Sequence, residues 1–284
     1  MLGKLFKYEF KNTAKMMLMI YAVLIVTTCI GTLALRSTLR LDSAGAHPSP
    51  VVTMLIVGAI ILYVLSLFAF FIVTYVYMCI HFYKTMYSAQ GYLTHTLPVK
   101  QLTTFHVKLA TSFVWMFAAL LLFIGSVFFL LNSVTDGEFW EIFSREFITG
   151  LDSELTAIGF HTGGMIVQFL FSAALSCLIY LLWVFASASI GQLFSTNKVL
   201  ASVVTGIIFY VVNQALNLII MLVSGYFNFA TLGGGVLQTT TDTVNTAVTI
   251  NNSYMIVQNI YSIIAVIALY SICNVIVRKH INLE

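Results

Sequence analysis

Polar residues in this chain are confined to short stretches, and between them lie six apolar runs: Met16 to Leu35, Val51 to Ile80, Leu109 to Leu131, Met165 to Ile190, Val199 to Val223 and Tyr254 to Val277. Each is about 20 residues or longer, which at a rise of about 1.5 Å per residue crosses the roughly 30 Å hydrocarbon core of a bilayer. The second run is long enough to tilt or to protrude on one side. Proline interrupts none of them. Lipid leaves backbone groups without water to bond, so runs of this kind predict helices rather than an outer-membrane barrel. The expected fold is all-α: one transmembrane domain over residues 1–284 with six transmembrane helices.

Composition agrees with that pattern. Only 8% of the 284 residues are charged, 60% are hydrophobic, and the mean hydropathy is +0.98. A soluble domain carries roughly a quarter charged residues, so this chain lacks the polar surface to coat a water-soluble globule. The formal net charge of +3 is too weak to argue for nucleic acid as a partner. The basic residues are instead sorted along the chain. With the amino terminus inside, Lys4, Lys7, Lys11, Lys15, Lys84, Lys100, Lys108, Lys198, Arg278 and Lys279 are cytoplasmic, against Arg36, Arg40 and Arg145 outside. Lysine and arginine bias in short loops orients polytopic proteins, so both termini are expected in the cytoplasm. The acids sort oppositely: only Glu9 and Glu284 fall inside. The first run is too long for a signal-peptide core, and Ala44-Gly45-Ala46 lies too far beyond it to be a cleavage site. Cys29, Cys79, Cys177 and Cys273 sit singly in separate spans, with neither disulfide nor metal spacing.

The chemistry absent from the spans narrows the function. None holds Asp, Glu, Lys, Arg or His except at its margins, whereas ion-coupled carriers usually keep an ionisable group at mid-membrane. His47, His81, His95, His106, His161 and His280 form no metal-ligand spacing, and no nucleophile-base pair or phosphate-binding Gly-x-x-x-x-Gly-Lys-Ser/Thr occurs. The chain is therefore not expected to be an enzyme by itself or to hold a cofactor. If ATP drives it, another subunit hydrolyses the ATP.

Two polar segments carry more information. In MLGKLFKYEFKNTAK, helical spacing puts Leu2, Leu5, Phe6 and Phe10 on one face and Lys4, Lys7, Lys11 and Lys15 on the other. Residues 1–15 read as an interfacial amphipathic helix whose lysines meet anionic headgroups of the membrane lipid. Glu9 falls among the apolar residues. Either it reaches out to water, or it and the lysines touch a cytoplasmic partner or the next cytoplasmic loop. That loop, around residues 84–100, reads HFYKTMYSAQGYLTHTLPVKQLTTFHVKL with its flanks and is too apolar for a solvated linker. Gly91 is expected to stop the second helix and Pro98 to block continuation, leaving Tyr92, Leu93, Thr94, His95, Thr96 and Leu97 as a short helical or turn-like knob. Tyr92, Leu93 and Leu97 either form a docking surface or fold back onto the membrane.

Outside, residues 132–164 are acidic and aromatic, with Phe139, Phe143 and Phe147 at helical spacing beside Trp140. They suit an amphipathic helix on the outer leaflet or a lid. Residues 224–253, rich in Gly, Thr and Asn, suit turns and irregular chain rather than one long helix. Within the spans, Tyr63, Ser66, Phe70, Thr74 and Tyr77 make one stripe, and Tyr210, Asn213, Asn217 and Ser224 another. Each is open to two readings, helix-helix glue or the lining of a pathway, and so are Gln168, Gln258 and Asn259.

The opening GKLFKYEFKNTAK and the loop FYKTMYSAQGYLTHTLPVKQL, with six spans and no nucleotide fold, resemble the permease subunit of an ABC-2 type ATP-binding-cassette exporter. The resemblance covers the whole topology, and its specific residues lie in these two stretches. It implies that the amino-terminal segment, with Lys4, Phe6, Lys7, Glu9, Phe10 and Lys11, is the elbow helix. It further implies that Gly91 to Pro98 is the coupling helix seated on a separate ATPase subunit, present in two copies. Relatives often carry acids just before the Gly-Tyr-Leu, where this chain has Ala89 and Gln90. The second and fifth spans would border a central path in a homo- or heterodimer, and residues 224–253 would form short re-entrant helices.

The expected function is export, powered by ATP and Mg held in the partner ATPase, from a bacterial cytoplasmic membrane. A path without fixed charge suits amphipathic or apolar cargo, with the peptide exporters, such as those for phenol-soluble modulins and lantibiotics, the nearest subgroup. The rivals are a non-transporting immunity or sensor protein and, third, an ion-coupled carrier or channel. The orientation has a direct check: single cysteines at Ser43, Asp152 and Thr240 should react with an impermeant thiol reagent from outside, and ones at Lys100 and Asn197 should not. Labelling of Lys100 from outside would reverse the topology.

Overall fold

The computed structural model describes residues 2–43, 49–88, 91, 101–135, 137–143, 162–194, 197–223 and 240–279, with the backbone alone described at 39, 41–43, 142, 162–163, 165, 223, 240–253 and 279. Seven helices are described: α1 (Leu2–Ser43), α2 (Pro50–Met86), α3 (Gln101–Val134), a single turn α4 (Phe139–Ile142), α5 (Thr162–Gly191), α6 (Lys198–Val223) and α7 (Thr240–Lys279). Six of them are long and apolar enough to cross a membrane, and each contains one of the apolar runs. No strand occurs among the described residues. Among the described residues the fold is all-α, as the pattern predicts.

Two helices extend beyond expectation. Residues 1–15 were expected as a separate interfacial helix, but α1 runs unbroken for 42 residues, about 63 Å. Nothing between Gly3 and Gly31 breaks it, since that stretch holds neither glycine nor proline. At the other end, residues 240–253 were expected to be irregular, but they continue the last span as the first turns of α7. Threonine and asparagine are poor helix formers by only a few tenths of a kcal/mol each, and extending an existing helix avoids the cost of nucleating one. Residues 224–239 lie outside the described residues.

The chain divides into two compact units, Met1–His81 with His106–Thr162, and Phe82–Phe105 with Gly163–Glu284. In the first, contacts at Glu9 with Lys108, Thr13 with Trp115, Thr28 with Ser126 and Arg36 with Ser133 show α1 and α3 running parallel in register. Ser66 with Thr27 and Tyr63 with Ser126 set α2 antiparallel to both. Gly31 permits the close approach of α1 to α2, because a Cβ there would fall 2.9 Å from Tyr63. Met17, Tyr21, Leu24, Tyr63, Phe70, Trp115 and Ala119 are among the buried residues, while Met54, Leu55, Leu65, Phe68 and Ile72 on α2 stay exposed. The inversion of the usual rule, with large apolar residues outside, is what a lipid-facing surface requires.

In the second unit α6 runs antiparallel to α7, joined through Asn213 with Tyr261 and Asn217 with Gln258. The α5–α6 connection is tight. Asn197 takes a left-handed φ of 52°, a conformation asparagine tolerates better than most residues, and a Cβ on Gly191 would collide with Ser202.

Candidate functional site

Three sets of side chains stand out. The first lies where the lower turns of α1, α2 and α3 meet in the first unit. Lys4, Lys7, Lys11 and Lys15 are exposed on α1, while Phe6, Glu9, Phe10 and Thr13 turn inward. Glu9 Oε1 accepts a hydrogen bond from Lys108 Nζ at 2.9 Å and lies 2.8 Å from His81 Nε2. One carboxylate oxygen therefore ties three helices together. Its side chain is 17% exposed, and that of Lys108 only 4%. Glu9 thus points at residues that flank the loop between α2 and α3 rather than out to water. Tyr77 stacks on His81, and Phe6, Phe10 and Trp115 form a continuous stack beside it. Trp115 Nε1 donates to Thr13 Oγ1 at 2.9 Å, and Tyr21 donates its hydroxyl hydrogen to the Trp115 carbonyl at 2.6 Å. Taking an ammonium group out of water costs several kcal/mol, so Lys108 is tolerated at this depth because Glu9 compensates it.

The second set is the two candidate pathway stripes. On α2, Tyr63 is 5% exposed and its hydroxyl is 3.1 Å from Ser126 Oγ, which is also 2.7 Å from Thr28 Oγ1. Ser66 bonds Thr27, and Phe70 packs its ring on Tyr21. Thr74 is fully buried, its hydroxyl has no hydrogen-bond partner among the described residues, and Tyr77 stacks on His81. The stripe therefore faces α1 and α3 within the first unit, the position of helix-helix glue. On α6, Asn213 Oδ1 accepts from the Tyr261 hydroxyl at 2.5 Å and Asn217 Oδ1 accepts from Gln258 Nε2 at 2.9 Å. Asn259 Oδ1 in turn accepts from Ser172 of α5 at 2.7 Å. These amides also join helices, although Asn213 and Asn217 remain partly exposed. Tyr210 points away, 59% exposed, and Ser224 lies outside the described residues.

The third set surrounds the stems of the loop between α2 and α3, in the second unit. Phe82 stacks face to face on Phe185 of α5 with ring centres 3.7 Å apart, and Phe105 packs against both Phe185 and Tyr270 of α7. Tyr87, just past α2, is 1% exposed, with its hydroxyl 2.6 Å from Ser189 Oγ. Burial pushes its phenol well above the usual tyrosine range, so it stays a neutral hydrogen-bonding group. Gly91 does not act as the cap of α2, which ends at Met86. Its N–H instead folds back to the Ser88 carbonyl at 2.6 Å, and a Cβ there would strike the Met86 carbonyl oxygen. Gln192, just beyond α5, is 1% exposed, and neither its amide oxygen nor its nitrogen has a hydrogen-bond partner among the described residues. A buried amide left without a partner costs about 1 to 3 kcal/mol. The candidate coupling residues Tyr92, Leu93, Thr94, His95, Thr96, Leu97 and Pro98 lie outside the described residues, as does Phe147 of the loop between α3 and α5. Phe139, Trp140 and Phe143 do gather, on the ring of Phe128 at the end of α3.

Sequence reasoning singled out Glu9 and missed its partners. A signal for Lys108 exists: it stands seven residues before Trp115, hence on the same helical face, at the edge of an apolar run. His81 and the aromatic residues at the loop stems carry no comparable mark. Among the described residues no group of His, Cys, Asp and Glu is arranged to hold a metal ion. No protein-family model, curated protein or solved structure matches the chain.

Two stability predictions follow from these contacts. Glu9→Gln leaves the Lys108 ammonium buried without a counterion and should lower the unfolding free energy by about 3 kcal/mol. Glu9→Leu combined with Lys108→Met should recover most of that loss, since the charge is removed with its partner. Thermal unfolding of the purified chain in detergent measures both, and an equally unstable double variant would show that the pair is not the cause. Separately, Asn213→Leu with Asn217→Leu removes two interhelical hydrogen bonds of roughly 0.6 kcal/mol each. The melting temperature should fall modestly in the same assay; an unchanged value would argue that these amides serve the path and not the α6–α7 contact.

Proposed function

We propose that the chain is the permease subunit of an ATP-driven exporter of the ABC-2 type. In this reading it sits in a bacterial cytoplasmic membrane with both termini inside. It pairs with a second permease copy, identical or related, and with two copies of a separate ATPase subunit that binds ATP and Mg. Its cargo is amphipathic or hydrophobic, a peptide by preference, because the spans offer aromatic and amide side chains but no fixed charge at mid-membrane to bind ions or sugars.

The observation that carries the reading is the seating of the loop stems. Phe82 and Tyr87 on one side of the loop, and Phe105 on the other, are anchored to Phe185, Ser189 and Tyr270 near the ends of α5 and α7. A close-packed aromatic contact transmits displacement rather than absorbing it, since packed interiors are hardly compressible. Force applied to the loop by a subunit outside the membrane is thereby delivered to two membrane-spanning helices. Gly91 to Pro98 supply the docking knob, with Leu93 and Leu97 as its apolar contacts. The Glu9 cluster has a supporting role, fixing the first turns of α1 against α2 and α3 while its exposed lysines meet the headgroups of the inner leaflet.

The test is co-expression with an ATP-binding-cassette ATPase and reconstitution into vesicles. The chain alone should hydrolyse no ATP. Leu93→Asp or Leu97→Asp should lower recovery of the complex by an order of magnitude or more, because a carboxylate without a partner in an apolar groove costs several kcal/mol. Tyr87→Phe, which removes one hydrogen bond at the stem, should keep the complex and lower peptide transport per ATP hydrolysed. Normal assembly and transport in both aspartate variants would refute the coupling role of residues 91–98.

A further inference from the structure

Gln192 is a carboxamide where an apolar side chain of similar length would pack with no polar atom to satisfy. It is 1% exposed, and neither its Oε1 nor its Nε2 has a hydrogen-bond partner among the described residues. Methionine would fill the same space without burying an unpaired donor and acceptor.

The backbone sets where this amide stands. The chain leaves α5 through three successive i→i+3 bonds, from the N–H groups of Gln192, Leu193 and Phe194 to the carbonyls of Ser189, Ile190 and Gly191. Side chains three apart are eclipsed in such a turn, so Gln192 lies directly beyond Ser189 along the axis, at a step of about 6 Å. Ser189 is the seat of the Tyr87 phenol, with the two oxygens 2.6 Å apart. The direction of that bond is fixed. Ser189 gives its only hydroxyl hydrogen to the Phe185 carbonyl at 2.7 Å, so Tyr87 is the donor and Ser189 the acceptor.

This arrangement makes the bond easy to exchange. If the phenol leaves, Ser189 keeps its own bond to Phe185 and forfeits only one accepted hydrogen. Tyr87, itself 1% exposed, needs another acceptor. Gln192 Oε1 stands one turn further along the same face with nothing to accept. One hydrogen bond breaks and one forms.

We propose that Gln192 is a second seat for the Tyr87 hydroxyl, and that the end of α2 steps between Ser189 and Gln192. Tyr87 cannot move apart from the start of the α2–α3 loop. Its N–H is bonded to the Tyr83 carbonyl at 2.9 Å, the Gly91 N–H is bonded to the Ser88 carbonyl at 2.6 Å, and a Cβ on Gly91 would strike the Met86 carbonyl oxygen. A displacement of the loop is therefore a displacement of Tyr87. Packed elements that make the same number of bonds in two registers are bistable rather than continuously deformable. Gln192 is thus a positioning residue for the loop stem. The inference rests on that stem and not on export, since a sensor signalling through the loop would use the same step.

The test is fluorine NMR of the full chain in lipid nanodiscs of phosphatidylethanolamine and phosphatidylglycerol, with 3-fluorotyrosine in place of Tyr87 alone. Two resonances in slow exchange are expected, the larger from the Ser189 seat. Gln192→Met should abolish the smaller one without lowering the melting temperature, because the seat occupied in the structure loses no bond. Ser189→Ala should shift the ratio toward the second seat by roughly two- to twelve-fold, the range for one net hydrogen bond. A single resonance in the otherwise unaltered chain, a second resonance that survives Gln192→Met, or a ratio unmoved by Ser189→Ala would each overturn the proposal. The Gln192→Met arm decides the matter even where Ser189→Ala fails to fold. No ATPase is in the sample, so failure here and failure of the export reading remain distinct.

Discussion

Hydrocarbon gives a polar group nothing to bond, and the described structure is organised around that constraint. In water, burial of apolar surface would hold the helices together, but lipid tails are as apolar as leucine and remove that drive between helices. Association then rests on close packing and on polar groups that find each other. The parallel seam of α1 and α3 shows this along its length: Glu9 with Lys108, Thr13 and Tyr21 with Trp115, Thr28 with Ser126, and Arg36 with the Ser133 carbonyl. Ser126 also reaches Tyr63, so one small hydroxyl joins three helices near the middle of their span. Each contact is weak singly. Together they define a register, because sliding one helix by a residue would break all of them.

The charged contacts fall at the two ends of that seam. Glu9 and Arg36 are 27 residues apart on α1, about 40 Å along the axis, which is close to the full thickness of a bilayer with its headgroups. Hydroxyl and aromatic contacts occupy the interval between them. This ordering follows from cost: an ion pair is least expensive where headgroups and water are near, and hydroxyls are tolerated deeper because a helix carbonyl one turn back accepts their hydrogen. Thr28 and Ser66 use that local bond as well as the interhelical one.

How much of this the sequence discloses depends on the range of the interaction. The six spans are legible because length and hydropathy are local properties. Glu9 is legible as an exception, an acid out of phase with its neighbours, but Lys108 lies 99 positions away and only the register of α1 against α3 brings it within reach. The same holds for Tyr63 and Asn213: helical phase identifies them as a stripe, and phase alone does not tell a neighbouring helix from a pathway. Two local readings also differed from the structure. The separation of residues 1–15 from the first span rested on amphipathicity, which describes a face and not a break. The irregular reading of residues 240–253 rested on composition, and a spanning helix already formed at Tyr254 extends through poor helix formers at small cost.

Helix α6 shows how finely phase divides the tasks of a membrane helix. Asn213 and Gln214 are adjacent and carry the same functional group, yet the first is bonded to Tyr261 and the second faces outward. One residue of rotation separates them. Helix propensity does not select amides at both positions, since leucine or alanine would serve α6 at least as well. Packing against α7 accounts for Asn213 and Asn217, whose oxygens are engaged, but it offers nothing to Gln214. In a solvent that supplies no hydrogen bonds, an outward amide at mid-span lowers the stability of the isolated chain.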